Sequence, residues 1–444
     1  MWDSAANHGR IGADNYTGCK EVMLPHPTLS VGSACPHCAA CNTVARLGKD
    51  EPKVIVRLEG SPLITGTRFV APTYRCTLCL ARFYTPVPDS IKNAPKYAPS
   101  CASTLAIARY SSGNPMHRIE QDQAMHGIPM KDATQWDIIL KGLYPVACPV
   151  FGALQQNAAN GSLTMYDDTT GRVIENKTKG VPTHTTAFMA VHEGHKIHLF
   201  FTGQNHAGKN ADAIFAQRTS EEQVIAMMDA SPSNIPKHLS QGLVARFILC
   251  FCLVHGRRKF FEVMRFFDKE CNFVLDIIGQ VYANDKQCLK NKLSPEERLL
   301  YHQKCSQPLM RQLSIWLNNL LVYERIEFNN VFGAGVRYML RNWEPLTAFL
   351  RVAGAPLDSS WAERAIKIAI RHRRNSLFYK TAKGALVGDC LMSLIYTAKV
   401  NGINPYDYLN TLQLHAEKVK ASPEQWLPWN YAQTAASITQ SQAA

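Results

Sequence analysis

Acidic side chains are the scarcer charge in this sequence: 35 Asp and Glu stand against 48 Lys and Arg over 444 residues, a formal charge of +13. That shortfall favours a polyanionic partner, attracted at long range and bound with release of counterions. Charge alone is equally compatible with an ordinary basic enzyme. Long apolar runs are scarce as well. The run at 243–254 is interrupted by Arg246 and is too short to span a bilayer. The first twelve residues are polar and lack the apolar stretch of an export signal, so the expected location is the cytoplasm, with no membrane partner. Thiols stay reduced there, which excludes a disulfide framework for the 14 cysteines. Most of these, such as Cys250, Cys288 and Cys390, read as small buried hydrophobes. No internal repeat or low-complexity tract occurs. With 46% hydrophobic and only 19% charged residues the chain is no disordered tail, and its length suits two or three domains.

The order of local signals suggests an organisation. Residues 1–32 carry no periodicity and read as a poorly ordered lead-in. Residues 33–90 alternate short β-type runs with cysteine pairs. Residues 98–157 turn helical, with a turn at His126-Gly127-Ile128-Pro129. The helices around that turn fit a DNA-reading helix-turn-helix, with 131–143 as second helix, or a plain hairpin packed on the core, which has the stronger prior. From 162 onward the pattern gives strands at 162–168, 185–192 and 196–202, then a helix near 211–218 and a strand at 224–228. A short helix near 236–244 and a strand at 247–254 follow. Three antiparallel strands followed by α/β alternation is the RNase H-like order, in which ligands gather at the carboxyl ends of central strands. Residues 257–351 read as helical throughout. Ser294-Pro295-Glu296-Glu297 forms a capping box opening a helix whose buried stripe is Leu309, Leu313, Trp316, Leu317 and Leu320. A last helical region, 360–412, follows the turn at 354–356, and 415–444 is left as a tail.

Two constellations carry chemistry. Cys35-x-x-Cys38 and Cys76-x-x-Cys79 are knuckles separated by 37 residues. Each lets two thiolates face one ion, and two knuckles complete a closed tetrahedral Zn²⁺ site, with His37 and Cys41 as nearby spares. No thioredoxin-like βαβ pattern surrounds either pair, which argues against a redox dithiol. The second constellation is carboxylate. Asp167 ends the first core strand and Asp229 the fourth. Brought side by side, they repel unless a cation neutralises them, and hard oxygen ligands with open positions suit Mg²⁺ or Mn²⁺. Either aspartate alone would be an ordinary solvated turn former. A third carboxylate, Glu363, sits on a helix that Asp358 or Ser359 can cap. Arg364, Lys367, Arg371 and Arg374 share one face of that helix, either solvated or set to grip a phosphate backbone.

Several motifs occur in one order: the CPHC and CTLC knuckles, Tyr166-Asp167-Asp168-Thr169, Met228-Asp229-Ala230, and the segment from Cys252-Leu253-Val254-His255 through Gly256-Arg257-Arg258-Lys259-Phe260. Asp358-Ser359-Ser360-Trp361-Ala362-Glu363-Arg364-Ala365-Ile366, Arg373-Arg374-Asn375-Ser376-Leu377-Phe378 and Ser393-Leu394-Ile395-Tyr396-Thr397-Ala398-Lys399 follow. Over about 33–414 the chain resembles the IS66 family of insertion-sequence transposases. Where the family usually has Asp-Asn-Asn, this chain has Asp358-Ser359-Ser360, and Asp168 replaces a common Glu.

The resemblance implies a divalent-metal-dependent DDE enzyme with its triad on Asp167, Asp229 and Glu363. Its catalytic domain would cover 160–414, with a helical insertion at about 262–352. Double-stranded DNA, both element ends and target, would be the substrate. The enzyme would act as a homo-oligomer on that DNA in a bacterial cell, with companion proteins of the element as further partners. Arg257, Arg258 and Lys259 would lie close to the DNA, and Cys252 and His255 would support the site beside Asp229. The expected fold is thus an α/β, RNase H-like mixed-sheet core with an all-helical insertion, preceded by a small zinc-binding β domain and a helical region. The rival from another class is a zinc-containing DNA-binding protein derived from a transposase but without catalysis.

Overall fold

The computed structural model describes residues 63–75, 82–322 and 330–443. Cys35, Cys38, Cys76 and Cys79 lie outside them, as does the lead-in at 1–32. The described residues all belong to the compact unit that begins at Leu63. Its first element is a short antiparallel hairpin, β1 (Thr73–Arg75) with β2 (Arg82–Tyr84). Helices α1 (Pro99–Ala106), α2 (Met116–Met125) and α3 (Asp132–Ile138) come next, and α4 (Tyr144–Ala159) closes this region.

The expected turn is present, with Gly127 at φ +70 between α2 and α3. The basic residues of the proposed second helix are already paired: Lys131 with Glu120 and Lys141 with Asp137, each at 2.8 Å. The helical run Asp132–Ala159, 28 residues, is long and apolar enough to cross a membrane by length and composition, a property not anticipated from the apolar runs of the sequence. Half of its most apolar stretch is buried inside the fold, as in the core helix of many globular proteins.

The centre of the unit is a five-stranded mixed sheet in the order β5-β4-β3-β6-β7. Its strands are β3 (Leu163–Thr170), β4 (His184–His192), β5 (His195–Gly203), β6 (Val224–Met228) and β7 (Phe247–Phe251). β3, β4 and β5 form an antiparallel meander, whereas β6 and β7 run parallel to β3. The turn Glu193-Gly194 has positive φ at both residues, 49 and 79, as a tight hairpin requires. The strands thus arrive in the order expected, with shifts at their ends. The last strand stops at Phe251, and 253–261 is helical instead, because an apolar run alone does not separate buried strand from buried helix. A short helix at Ile174–Thr178, not anticipated, fills the gap between β3 and β4.

Strand β5 is an edge strand, and the fold covers it with a helix. Helix α5 (Ala207–Phe215) follows β5, α6 (Leu253–Phe261) follows β7, and the helical segment comprises α7 (Asp268–Lys290), α8 (Pro295–Cys305), α9 (Gln307–Val322) and α10 (Val331–Arg341). Then come α11 (Ser360–Ser376) and α12 (Ala382–Val400). Along β5 the outward N–H groups of Lys196, His198, Phe200 and Thr202 donate to side chains of Asn401, Thr397, Ser393 and Asp389. Four helical residues rise about 6 Å and two strand residues about 6.7 Å, so the ladders stay in step. A row of donors that would otherwise invite another strand is thereby satisfied. Asp389 is fully buried for this task, and burial pushes its carboxyl up to about 7.

The capping box at Ser294 is present, with Ser294 accepting from the Glu297 N–H and Glu297 from the Ser294 N–H. The helix it opens is shorter than expected. It ends at Cys305, and the stripe containing Leu313 and Leu317 belongs to α9. The break has a local cause: Pro308 has no N–H to give to the carbonyl four residues back. The last helical region is likewise divided, since Leu377 at φ +64 ends α11.

Candidate active site

Parallel register brings the first two carboxylates together. β3 pairs with β6 with Met165 opposite Met227, and Asp167 and Asp229 each lie two residues further on. The buried amide of Asn234, only 2% exposed, lies on the loop after β6 and joins them. Its Nδ2 donates to Asp229 Oδ1 at 2.6 Å and to Asp167 Oδ1 at 3.2 Å. Asp229 Oδ1 also accepts from the Ser231 N–H, and Asp167 Oδ1 from the Asp168 N–H. Burial first, and the Asp229 charge second, push the Asp167 carboxyl up to about 6. Sequence reasoning missed Asn234. The signal available was weak: a carboxamide five residues beyond a strand-end Asp, inside a Ser/Pro loop.

The segment that carries Glu363 is joined to the end of β6 through a short relay of contacts. The Cys252 N–H donates to the carbonyl of Met228, beside Asp229. The next residue, Leu253, donates its N–H to the Leu357 carbonyl, and the Ser359 N–H points at Cys252 Sγ at 3.4 Å. These bonds dock the start of α11 against the start of α6. Asp358, not Ser359, supplies the side-chain cap, accepting from the Ser360 N–H at 2.9 Å. Glu363 lies in the first turn of α11, where the helix dipole favours a negative charge. Cys252, His255 and Glu363 each bring one donor atom within 4.8 Å of the others. Contact with the Cys252 sulfur, and then the Asp229 and Glu363 charges, hold His255 above the ordinary imidazole range. His255 therefore senses carboxylates of both strand-end and helix origin.

Four buried polar atoms around this point lack a hydrogen-bond partner: Glu363 Oε1, Asn234 Oδ1, His255 Nδ1 and Ser359 Oγ. Buried polar atoms are nearly always satisfied, so orphans gathered at one place fit a ligand. A carboxylate oxygen without a donor, here Glu363 Oε1 beside Cys252 and His255, fits a cation as its missing partner.

The expected basic residues divide into two groups. Arg364, Lys367 and Arg374 are exposed along α11, and Arg258 and Lys259 are exposed on α6. Arg371 is exposed too, but sends Nη2 to the Ser111 carbonyl at 3.1 Å and to the Tyr396 hydroxyl at 2.9 Å, binding α11 to the rest of the fold. Arg257 lies over the Phe261 ring and Lys259 over the Tyr338 ring. Arg373, which sequence reasoning quoted without a role, donates to the carbonyl and hydroxyl of Thr170 at the end of β3.

Comparison with known proteins bears on this arrangement. The family model described as "Transposase IS66 family" matches residues 96–386. Among relatives, the uncharacterized protein y4jD of Sinorhizobium fredii is 30% identical over 205 residues, 45% of this chain and 39% of that protein. The uncharacterized protein y4hP of the same organism is 22% identical over 449 residues, covering 94% of this chain and 76% of that protein. The match to y4jD thus spans well under half of that protein's length. No solved structure matches the chain.

Proposed function

The chain belongs to the IS66 family of transposases, and from that premise we propose that it cuts DNA at element ends and joins the freed 3′-OH to target DNA, with Asp167, Asp229 and Glu363 as its catalytic triad. The observation that carries this reading is the pairing of Asp167 and Asp229 through one buried amide, with Glu363 docked beside Cys252 and His255 at the start of the neighbouring helices. Asn234 supplies that amide, and Glu363 contributes a buried oxygen with no donor of its own. The strand order β5-β4-β3-β6-β7, with Asp167 in the second half of β3 and Asp229 just past the end of the parallel β6, supports an RNase H-like core. Residues before about 160 and the helical stretch at 262–352 would then lie outside that core and inside it as an insertion, respectively.

Mg²⁺ or Mn²⁺ held by the three carboxylates would supply charge stabilisation for an in-line phosphoryl displacement. The chain's own residues prepare the site. Asn234 holds Asp167 and Asp229 in one orientation. The α6–α11 contacts fix Glu363, and His255 offers a positive charge or a proton donor beside them. The exposed Arg364, Lys367 and Arg374 on α11, with Arg258 and Lys259 on α6, offer contacts to the phosphate backbone. The Cys35, Cys38, Cys76 and Cys79 knuckles would hold a structural Zn²⁺. The expected setting is the cytoplasm of a bacterial cell, with a homo-oligomer assembled on DNA and companion proteins of the element as further partners.

The test is Mg²⁺-dependent nicking of a duplex bearing the element's end. Glu363→Ala should lose cleavage by orders of magnitude and keep DNA binding, because affinity comes mostly from basic side chains. Undiminished cleavage in that variant would remove Glu363 from the triad. Native protein that binds the end yet never cuts it would identify a DNA-binding relative without catalysis.

A further inference from the structure

A second group of metal-ligating side chains lies on the neighbouring residue of the catalytic strand, outside the carboxylate triad. Adjacent residues of a strand project to opposite faces, so Asp168 points away from the face that carries Asp167. In the β3–β4 register Asp168 pairs with Thr186 and Thr170 with His184, which sets His184 diagonal to Asp168 on one face of the sheet. His206 is the N-cap residue of α5. Its Nδ1 lies 2.8 Å from Asp168 Oδ2, which also accepts the Ala207 N–H at 3.1 Å. The His184 and His206 ring centroids are 3.8 Å apart. One donor atom from each of Asp168, His184 and His206 falls within 4.8 Å of the other two.

We propose that Asp168, His184 and His206 form a site for a first-row divalent ion of the Zn²⁺ class, distinct from both the carboxylate triad and the cysteine knuckles. Two imidazoles and one carboxylate are a donor set that suits Zn²⁺ better than Mg²⁺. Donors bound about 2.0–2.2 Å from a tetrahedral ion stand roughly 3.3 Å from one another, so small side-chain adjustments gather these three around one centre. His206 is 47% exposed at its side chain, which leaves a fourth position open to water. The three residues come from the end of β3, the start of β4 and the start of α5. An ion there ties these segments together next to Asp167, so its occupancy stiffens the strand end that carries the first catalytic carboxylate.

The experiment measures zinc per chain by elemental analysis of the full-length protein, after equilibration with micromolar Zn²⁺ and gel filtration, together with the zinc-dependent shift in melting temperature. His184→Gln, His206→Gln and, as a control for the other cluster, His255→Gln are compared with the native chain. The expected result is one zinc fewer in both His184→Gln and His206→Gln, a smaller zinc-dependent shift, and an unchanged zinc content in His255→Gln. Near-ultraviolet circular dichroism without zinc checks that the variants fold. With Co²⁺ in place of Zn²⁺, the two variants should lose only weak visible bands and keep any thiolate-to-metal charge-transfer absorption. Native zinc content in a folded His206→Gln chain overturns the site. Loss of the additional zinc in His255→Gln alone also overturns it, by moving that ion to Cys252, His255 and Glu363.

Discussion

Replacing Asp167 by Asn should make the metal-free protein more stable at mildly alkaline pH while it abolishes cleavage. Burial, and then the Asp229 charge, raise the Asp167 carboxyl from 3.8 to about 6. A carboxyl with a raised folded pKa binds its proton more tightly in the folded chain than in the unfolded one. Its ionisation therefore costs nothing below the unfolded value, a growing amount between the two values, and the full amount above about pH 6. A displacement of about two pH units corresponds to ~3 kcal/mol, and residual solvent access brings the expected range to roughly 1–3 kcal/mol. Asn keeps a carbonyl oxygen for the Asp168 and Asn234 N–H donors, so the substitution removes the charge and leaves those acceptor contacts available. At ~2–4 °C per kcal/mol, the gain is several degrees in melting temperature. Melts with a chelator should show the variant's advantage at about pH 5 reduced to roughly half of that at about pH 8, and lost only below the unfolded value of the carboxyl. Mg²⁺ should then raise the native chain at the higher pH much more than the variant, because the cation relieves the repulsion that Asn has already removed. Equal melting temperatures at the higher pH, or equal stabilisation of both proteins by Mg²⁺, would refute the reasoning.

Ser393→Ala and Thr397→Val each leave a buried β5 N–H, of Phe200 and His198 respectively, without its acceptor, and should cost about 1–3 kcal/mol in denaturant titrations. A cost near zero would mean that water or a shift of α12 replaces the bond. DNA affinity should fall with salt along a log–log line with a slope of about −0.9 per phosphate contacted. Lys367→Ala with Arg374→Ala should flatten that line. Arg371→Ala should instead lower stability, since its guanidinium is held by Ser111 and Tyr396, and an unchanged slope in the double variant would return the α11 face to plain solvation. Cys76→Ser should remove the zinc that the four knuckle cysteines bind, read by elemental analysis, and full zinc content in that variant would reject the ligand set.

The sequence was most legible where one local rule controls one outcome. Asp229 directly after the apolar β6, Ser294 three residues before Glu297, and the Glu193-Gly194 turn all correspond to features of the fold, whereas β3 runs on past Asp167 to Thr170. It was less legible where a choice depends on partners remote in sequence. The stop of β7 at Phe251 depends on Leu253 finding the Leu357 carbonyl, a bond between residues more than a hundred positions apart. The place of Arg371 shows the same limit. Helical spacing puts it with Arg364, Lys367 and Arg374, and it is exposed as they are, but only the packing of Ser111 and Tyr396 against α11 gives its guanidinium partners within the fold. Asn234 could not be read from spacing either, since its importance comes from one nitrogen reaching two carboxylates that parallel strand register brings together. The motif Ser393-Leu394-Ile395-Tyr396-Thr397 illustrates the intermediate case. Its polar positions recur every four residues, a helical signal on their own. Their purpose appears only against β5, where the same spacing matches every second strand N–H and closes that edge of the central sheet.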